Sequence, residues 1–262
     1  MDRQILIIDD HDDLATSLSE VFSAQGHAVK VLENRSDAVA LDTLEGFDLV
    51  ITDLDVRPDS DGRGNGVCLP EIEPGSEYVK AFKLCAANYR RDAFDEEELK
   101  AFVATVLDYK IRFVDKVEFV KGIHENIQFE LPSALSLMHI VLEYLIKRVE
   151  KLGVCKPEQT NLFVALDEAF VNAIKHGNKY DPDKLVRVTA DVSPAEAKFT
   201  IEDEGEGFDV NEIPDPLDPE NLFKTSGRGV LFIHNIMDEV TYNERGNRLT
   251  MIKKAPAENC EA

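Results

Sequence analysis

A glutamate and an asparagine on one predicted helix are the residues whose types and spacing most directly suggest chemistry. Glu168 and Asn172 lie in the segment NLFVALDEAFVNAIKHGNK (161–179), which is apolar around most of its circumference, so we expect a largely buried helix. At ~100° per residue, one narrow stripe carries Asn161, Glu168, Asn172, Lys175 and Lys179. A carboxylate and a carboxamide one turn apart can align a hydroxyl and donate an oxygen to Mg²⁺. The alternative is an amphipathic helix whose polar edge is simply wetted.

Two glycine-containing segments follow this helix along the chain. Asp203 ends a predicted strand, KFTIED, and Gly205 and Gly207 come directly after it. A carboxylate there can accept a hydrogen bond from an exocyclic amine such as that of adenine, and the glycines allow a tight turn close to a planar ligand. The second segment consists of Gly227, Arg228 and Gly229. Because it precedes a predicted helix, its backbone N–H groups can bind phosphates.

The order of these motifs resembles the N, G1 and G2 boxes of the ATPase superfamily shared by gyrase, heat-shock protein ninety, histidine kinases and the mismatch-repair protein MutL. The resemblance covers residues 127–254 and implies ATP and Mg²⁺ as cofactors, with 209–226 as the lid over ATP. It also implies that Glu168 is the general base, that Asn172 ligates Mg²⁺ and that Asp203 recognises adenine. The residues that would shape the phosphate and ring contacts are Gly205, Gly207, Gly227, Arg228 and Gly229.

Within that superfamily, the segments FELPS, ALDEAFVNAIKHGN and SGRGVLFIHNIMDEVTY are similar to the anti-sigma-factor serine kinases. This similarity implies a protein serine/threonine kinase in bacterial signal transduction, with Glu168 acting on a substrate hydroxyl. It also implies an anti-sigma-factor antagonist as substrate, a sigma factor as the alternative partner, and a homodimer. Two other functions stay open: a non-catalytic ATP-binding module that docks partners, and an atypical histidine kinase. The latter would use His139, which lies in an apolar stretch where a histidine is more often packed.

Three aspartates near the start of the chain form a second candidate site. Asp9, Asp10 and Asp53 each follow a short apolar run that predicts a buried strand. In a doubly wound sheet the carboxyl ends of the strands meet at one crevice. Carboxylates that meet there repel one another unless a hard dication neutralises them, so we expect Mg²⁺. One carboxylate could then attack a phosphoryl donor, although ordinary loop-starting aspartates would show the same pattern.

The segments ILIIDDHDD, DLVITDLDV and FDEEELKAFVATVL resemble the first, third and last segments of two-component receiver domains. The resemblance implies that Asp53 is the phospho-acceptor, that Asp9 and Asp10 ligate Mg²⁺, and that an upstream sensor kinase acts on this part of the chain. The sequence departs from receivers because it is shorter by a strand-helix step between Asp53 and Phe94. It also lacks the lysine that receivers carry before the last helix, which removes the cation that would pair with the phosphoryl oxygen.

The elements that must position these residues predict two domains. Alternating strands and helices in the first half predict an α/β fold with a doubly wound parallel sheet, receiver-like but shortened. The second half segregates strands from helices, which predicts an α+β two-layer ATPase sandwich with a mixed sheet. Its predicted strands include 127–131, 185–192 and 197–202, and its predicted helices 133–151, 158–176 and 228–237. The predicted limits are a receiver-like regulatory domain at 1–118, a linker at 119–126, an ATPase domain at 127–255 and a flexible tail at 256–262.

Composition excludes several classes of function. The 262 residues carry a net charge of −22, which repels phosphate backbones and anionic lipid, so we expect neither nucleic-acid nor membrane binding. The cysteines lack the paired spacing of a metal site. No leader or membrane-spanning run is evident, so we expect a cytoplasmic protein.

Overall fold

The computed structural model describes residues 2–11, 13–41, 46–56, 79–91, 95–114, 124–156, 161–208 and 228–256. The chain forms two compact units, Met1–Pro132 and Ser133–Ala262. The domain and linker limits expected from the sequence stay a prediction. Among the described helices, none has both the length and the apolar character needed to cross a bilayer.

The first unit alternates strands and helices. Its strands are β1 (Gln4–Asp9), β2 (Ala28–Leu32), β3 (Leu49–Val56), β4 (Val79–Cys85) and β5 (His124–Pro132). Its helices are α1 (Asp13–Ala24), α2 (Arg35–Val39) and α3 (Glu96–Tyr109), with a 3₁₀ turn at Ala87–Arg91 and a π-helical segment at Lys110–Val114. The sequence did not predict β4.

The strands of the first unit run in the order β2-β1-β3-β4-β5. β1 is parallel to both β2 and β3, which confirms the predicted arrangement for these strands. β3 and β4 are antiparallel, with Val56 opposite Val79, and β4 and β5 are parallel. The sheet is therefore mixed, and the prediction of a parallel sheet fails at β4. An antiparallel strand can follow its neighbour without the helical crossover that a parallel strand needs. The doubly wound, receiver-like classification stays a prediction.

Helix α3 closes one side of this unit. The Asp95 side chain accepts a hydrogen bond from the Glu98 backbone N–H at 3.1 Å, and the acidic first turn suits the positive helix end. The apolar stripe Leu99, Phe102, Val103, Val106 and Leu107 is buried, as its spacing predicts. Lys110 follows on the same buried side at the start of the π-helical segment.

The second unit contains four strands and three helices among its described residues. The strands are β6 (Leu185–Val192), β7 (Glu196–Asp203), β8 (Glu239–Tyr242) and β9 (Arg248–Lys254). The helices are α4 (Leu135–Lys151), α5 (Leu162–Val171) and α6 (Arg228–Ile236), and α5 continues as a π-helical segment at Asn172–Gly177. The strand order is β6-β7-β9-β8.

A helical layer covers one face of this second sheet. Alternate residues of β7, such as Phe199 and Ile201, are buried, as expected of a sheet with one packed face. α4 contacts both β6 and α5, and α5 contacts α6. The described pairings in this unit are antiparallel. β5, which we expected to begin the ATPase domain, pairs with β4, and the limits of that domain stay a prediction.

Candidate functional site

A cavity of ≈ 350 Å³ in the second unit is formed by α5 with its π-helical extension, the end of β7 and the turn between β8 and β9. Small-molecule sites measure roughly 300–1,000 Å³, so the cavity is within the size range of such sites. The lining residues include Asn172, Asp203, Gly207, Phe208, Tyr242 and Asn247. The structure thus brings together residues from two of the three motifs that the sequence singled out.

Asp203 places a buried carboxylate in the wall of this cavity. Its side chain is 8% exposed, and Oδ1 accepts a hydrogen bond from the Gly205 N–H at 2.8 Å. Burial raises the pKa of the Asp203 carboxyl, while the Gly205 N–H and the Arg245 guanidinium oppose that rise. A Cβ atom on Gly177 would lie 2.3 Å from Asp203 Cγ, so only glycine leaves room for the carboxylate. The chain is built to keep this acceptor in place.

The turn after Asp203 interlocks with the turn between β8 and β9. The Phe208 N–H donates to the Arg245 carbonyl at 3.2 Å. Gly207 and Gly246 both have left-handed backbones, with φ of 79° and 75°. A Cβ on Gly207 would lie 1.9 Å from the Arg245 carbonyl oxygen, which is a severe overlap. Gly207, which was predicted to let the backbone approach a ligand, thus lets these two turns approach each other.

Glu168 lies on α5, Asn172 begins the π-helical segment that continues it, and both lie near the start of α6. Both are half-buried, on a helix whose Leu162, Ala165, Leu166, Ala169 and Phe170 form the buried face. A Cβ on Gly229 would lie 2.4 Å from Glu168 Oε2 and 3.8 Å from Asn172 Nδ2. The first and third predicted motifs therefore meet at Gly229, near the positive end of α6. Gly227 and the Arg228 side chain lie outside the described residues, as does the predicted lid at 209–226.

The polar stripe predicted for this helix does not continue past Asn172. Residues Asn172–Gly177 form a π-helical segment, in which each turn holds one more residue than an α-helical turn. His176 and Gly177 line the cavity, and neither Lys175 nor Lys179 is among its lining residues. Lys179 Nζ lies 3.6 Å from Glu206 Oε2. The prediction of an unbroken stripe was wrong because it assumed a regular α-helix.

Comparisons with known proteins place the second unit in a family. Residues 132–253 match the family described as "Histidine kinase-like ATPase domain". The chain is 34% identical over 116 residues to the anti-sigma F factor of Geobacillus stearothermophilus, a match that covers 42% of this chain and 78% of that protein. The chain belongs to the histidine kinase-like ATPase family. It is also 26% identical over 142 residues to the serine-protein kinase RsbW of Staphylococcus epidermidis, covering 51% of this chain and 89% of RsbW.

Asn178 forms hydrogen bonds to three segments around this site, and it was not among the site residues predicted from the sequence. Its side chain is fully buried and donates to Ser133 Oγ at 2.6 Å and to the Leu185 carbonyl at 2.8 Å. Its Oδ1 accepts from the Glu204 N–H at 2.8 Å. One amide therefore joins the end of the π-helical segment to β6 and to the residue after Asp203. A polar residue directly after a glycine at the end of a predicted helix was the available signal.

The predicted carboxylates of the first unit take different partners. Asp9 Oδ2 accepts from the Leu14 and Ala15 N–H groups at 2.8 and 2.9 Å, and Oδ1 accepts from the His11 N–H at 3.0 Å. Asp9 therefore caps the start of α1. Asp10 Oδ2 accepts from the Asp55 N–H at 3.0 Å, and burial raises the pKa of its carboxyl. In the described part of the chain, no group of His, Cys, Asp and Glu side chains is arranged to hold a metal ion, and the Mg²⁺ roles stay predictions.

Asp53 is paired with a lysine that the sequence analysis did not consider. Lys110 Nζ donates to Asp53 Oδ2 at 2.9 Å, and the two side chains are 3% and 5% exposed. Lys110 Nζ also lies 4.8 Å from the centre of the Phe82 ring. Asp53 Oδ1 has no hydrogen-bond partner among the described residues. A cation does accompany Asp53, but it comes from the end of α3 and not from the segment before that helix.

Proposed function

We propose that the chain is an ATP- and Mg²⁺-dependent protein serine/threonine kinase of the anti-sigma-factor type. The observation that carries the proposal is the meeting of Glu168 and Asn172 with Gly229, in the unit that also holds the Asp203 cavity. The names of the relatives, a serine-protein kinase and an anti-sigma F factor, support the same activity.

The proposed roles follow from the chemistry of each side chain. When bound, Mg²⁺-ATP would supply the transferable phosphoryl group. Glu168 accepts the proton of a substrate Ser or Thr hydroxyl as general base, and the Asn172 amide oxygen is a suitable Mg²⁺ ligand. Asp203 accepts a hydrogen bond from the adenine amine. Gly205 and Gly207 shape the ring contacts, and Gly227, Arg228 and Gly229 shape the phosphate contacts.

The proposed partners come from the family resemblance and not from the geometry. An anti-sigma-factor antagonist is the proposed substrate, a sigma factor is the alternative partner, and the proposed assembly is a cytoplasmic homodimer. For the first unit we propose a receiver-like regulatory role under an upstream sensor kinase. Asp53 is the candidate phospho-acceptor, and Asp9 and Asp10 are the candidate Mg²⁺ ligands.

Transfer of radiolabelled phosphate from ATP to a purified anti-sigma-factor antagonist tests the activity. Glu168→Gln should bind ATP as the wild type does but lose transfer by about 10²- to 10⁴-fold, because a general base contributes that much. Asp167→Asn removes the same charge from the neighbouring position and serves as the matched control. It should keep near wild-type transfer.

Three other results would point elsewhere. Nucleotide binding without transfer in the wild type would favour the non-catalytic binding module. Acid-labile phosphate on His139 would favour the histidine kinase, whereas acid-stable phosphoserine on the partner protein excludes it. Equal transfer by Glu168→Gln and wild type would refute the role of Glu168.

A further inference from the structure

The turn between β8 and β9 forms hydrogen bonds to the backbone on both sides of the Asp203 side chain. The Asp203 N–H donates to the Asn247 carbonyl at 3.0 Å, and the Asn247 side-chain amide donates to the Asp203 carbonyl at 2.7 Å. Asn247 is 6% exposed and lines the cavity. A single residue therefore fixes both peptide groups that flank the buried carboxylate.

Two neighbours fix Asn247 and the next peptide in turn. Asn243 Nδ2 donates to Asn247 Oδ1 at 2.9 Å, and Asn243 Oδ1 accepts from the Asn247 N–H at 3.1 Å. The Arg245 guanidinium donates to the Gly205 carbonyl at 2.7 Å. The amide of Asn247 therefore cannot rotate without breaking bonds to both Asn243 and Asp203, so its donor is oriented before any ligand arrives.

We propose that Asn247, with Arg245, is a positioning residue that sets the base specificity of the nucleotide site by holding the Asp203 carboxylate where a purine 6-amino group can reach it. This inference rests on the proposed function, since it requires that Asp203 faces a nucleobase. A hydrogen bond that discriminates between bases demands placement of the acceptor within about 0.5 Å. Loss of the hydrogen bonds from Asn247 therefore abolishes discrimination between nucleobases while the unit stays folded.

The test compares the binding of ATP with that of inosine triphosphate, which carries an oxo group in place of the 6-amino group. Asn247→Ala removes the donor, and Asn247→Asp keeps the shape but replaces the donor by an acceptor. Both variants should lower ATP affinity by roughly tenfold to hundredfold, as expected for the loss of one hydrogen bond between the 6-amino group and a charged acceptor, and should bring the affinity ratio of the two nucleotides close to one. Lys254→Ala, at the far end of β9, is the control and should keep the wild-type ratio.

The nucleotide ratio separates a positioning role from a purely structural one. If the Asn247 variants weaken both nucleotides by the same factor, or bind both as the wild type does, the inference is overturned while the proposed function stands. If the wild type binds neither nucleotide, the proposed function fails as well. Thermal unfolding monitored by circular dichroism establishes that Asn247→Asp is folded at the temperature of the binding measurement.

Discussion

Replacing Lys110 by methionine should destabilise the first unit strongly. The change keeps the length of the side chain but leaves the Asp53 carboxylate, 5% exposed, without its cation. Its other oxygen already lacks a partner among the described residues. Removing one partner of a buried ion pair costs about 3–5 kcal/mol, since an uncompensated charge stays buried. We therefore expect Lys110→Met to lower the free energy of opening of β3 by that amount.

Hydrogen exchange followed by mass spectrometry measures this effect locally. Peptides that contain β3 should exchange roughly 10²- to 10⁴-fold faster in Lys110→Met than in the wild type, because each 1.4 kcal/mol is tenfold. Lys100→Met is the matched control. Lys100 is also on α3, but its Nζ lies 3.6 Å from Glu97 Oε1 on the surface, and such exposed pairs contribute only about 0–1 kcal/mol.

A double variant distinguishes a buried charge from lost packing. Asp53→Leu combined with Lys110→Met removes both charges, so most of the lost protection should return. If the double variant exchanges as fast as Lys110→Met alone, lost packing around Lys110 is the cause. If Lys110→Met exchanges like the wild type, Asp53 and Lys110 do not form the buried pair.

Three further predictions concern the ATPase-family unit. Gly229→Ala places a Cβ 2.4 Å from Glu168 Oε2, so phosphate transfer should fall by about tenfold or more. The control is Gly46→Ala, which has open space around its Cβ and should transfer phosphate normally. A Gly229→Ala protein with wild-type transfer would contradict this packing. Burial raises the pKa of Asp203, so ATP affinity should fall as pH drops through that raised pKa. This fall should occur at a higher pH than the pKa of an ordinary aspartate would give. Asp203→Asn should abolish the pH dependence. The native carboxyl also binds its proton more tightly than the unfolded one, so its contribution to stability is lost as pH rises; urea titration should show Asp203→Asn to be more stable than the wild type at neutral pH.

The sequence predicted those parts of the site that depend on local spacing. Glu168 on α5 and Asn172 at the start of its π-helical extension are one turn apart, and Asp203 stands at a strand end, so spacing along the chain was enough to predict these positions. Their approach to Gly229 followed from the resemblance between motif orders. Strand β6 was predicted with the bounds that the structure shows, Leu185–Val192, because alternation along it is regular.

The parts that depend on contacts between distant residues were not predictable in this way. Lys110 is 57 residues from Asp53. Its position three residues after Leu107 placed it on the buried stripe of α3, which was the one available signal. The antiparallel direction of β4 is set by its pairing with β3 and has no signature in the segment itself. The π-helical winding was not predicted either, since every residue in the segment is compatible with a regular α-helix.

That wide turn makes the site sensitive to the number of residues in the helix as well as to their types. Rewinding all six residues of Asn172–Gly177 as an ordinary α-helix would rotate everything after them by about 100°. Asn178 would then swing away from Ser133, Leu185 and Glu204. Replacing this helix with an idealised α-helix of the same length would therefore improve local helix geometry and disrupt the cavity that His176 and Gly177 line.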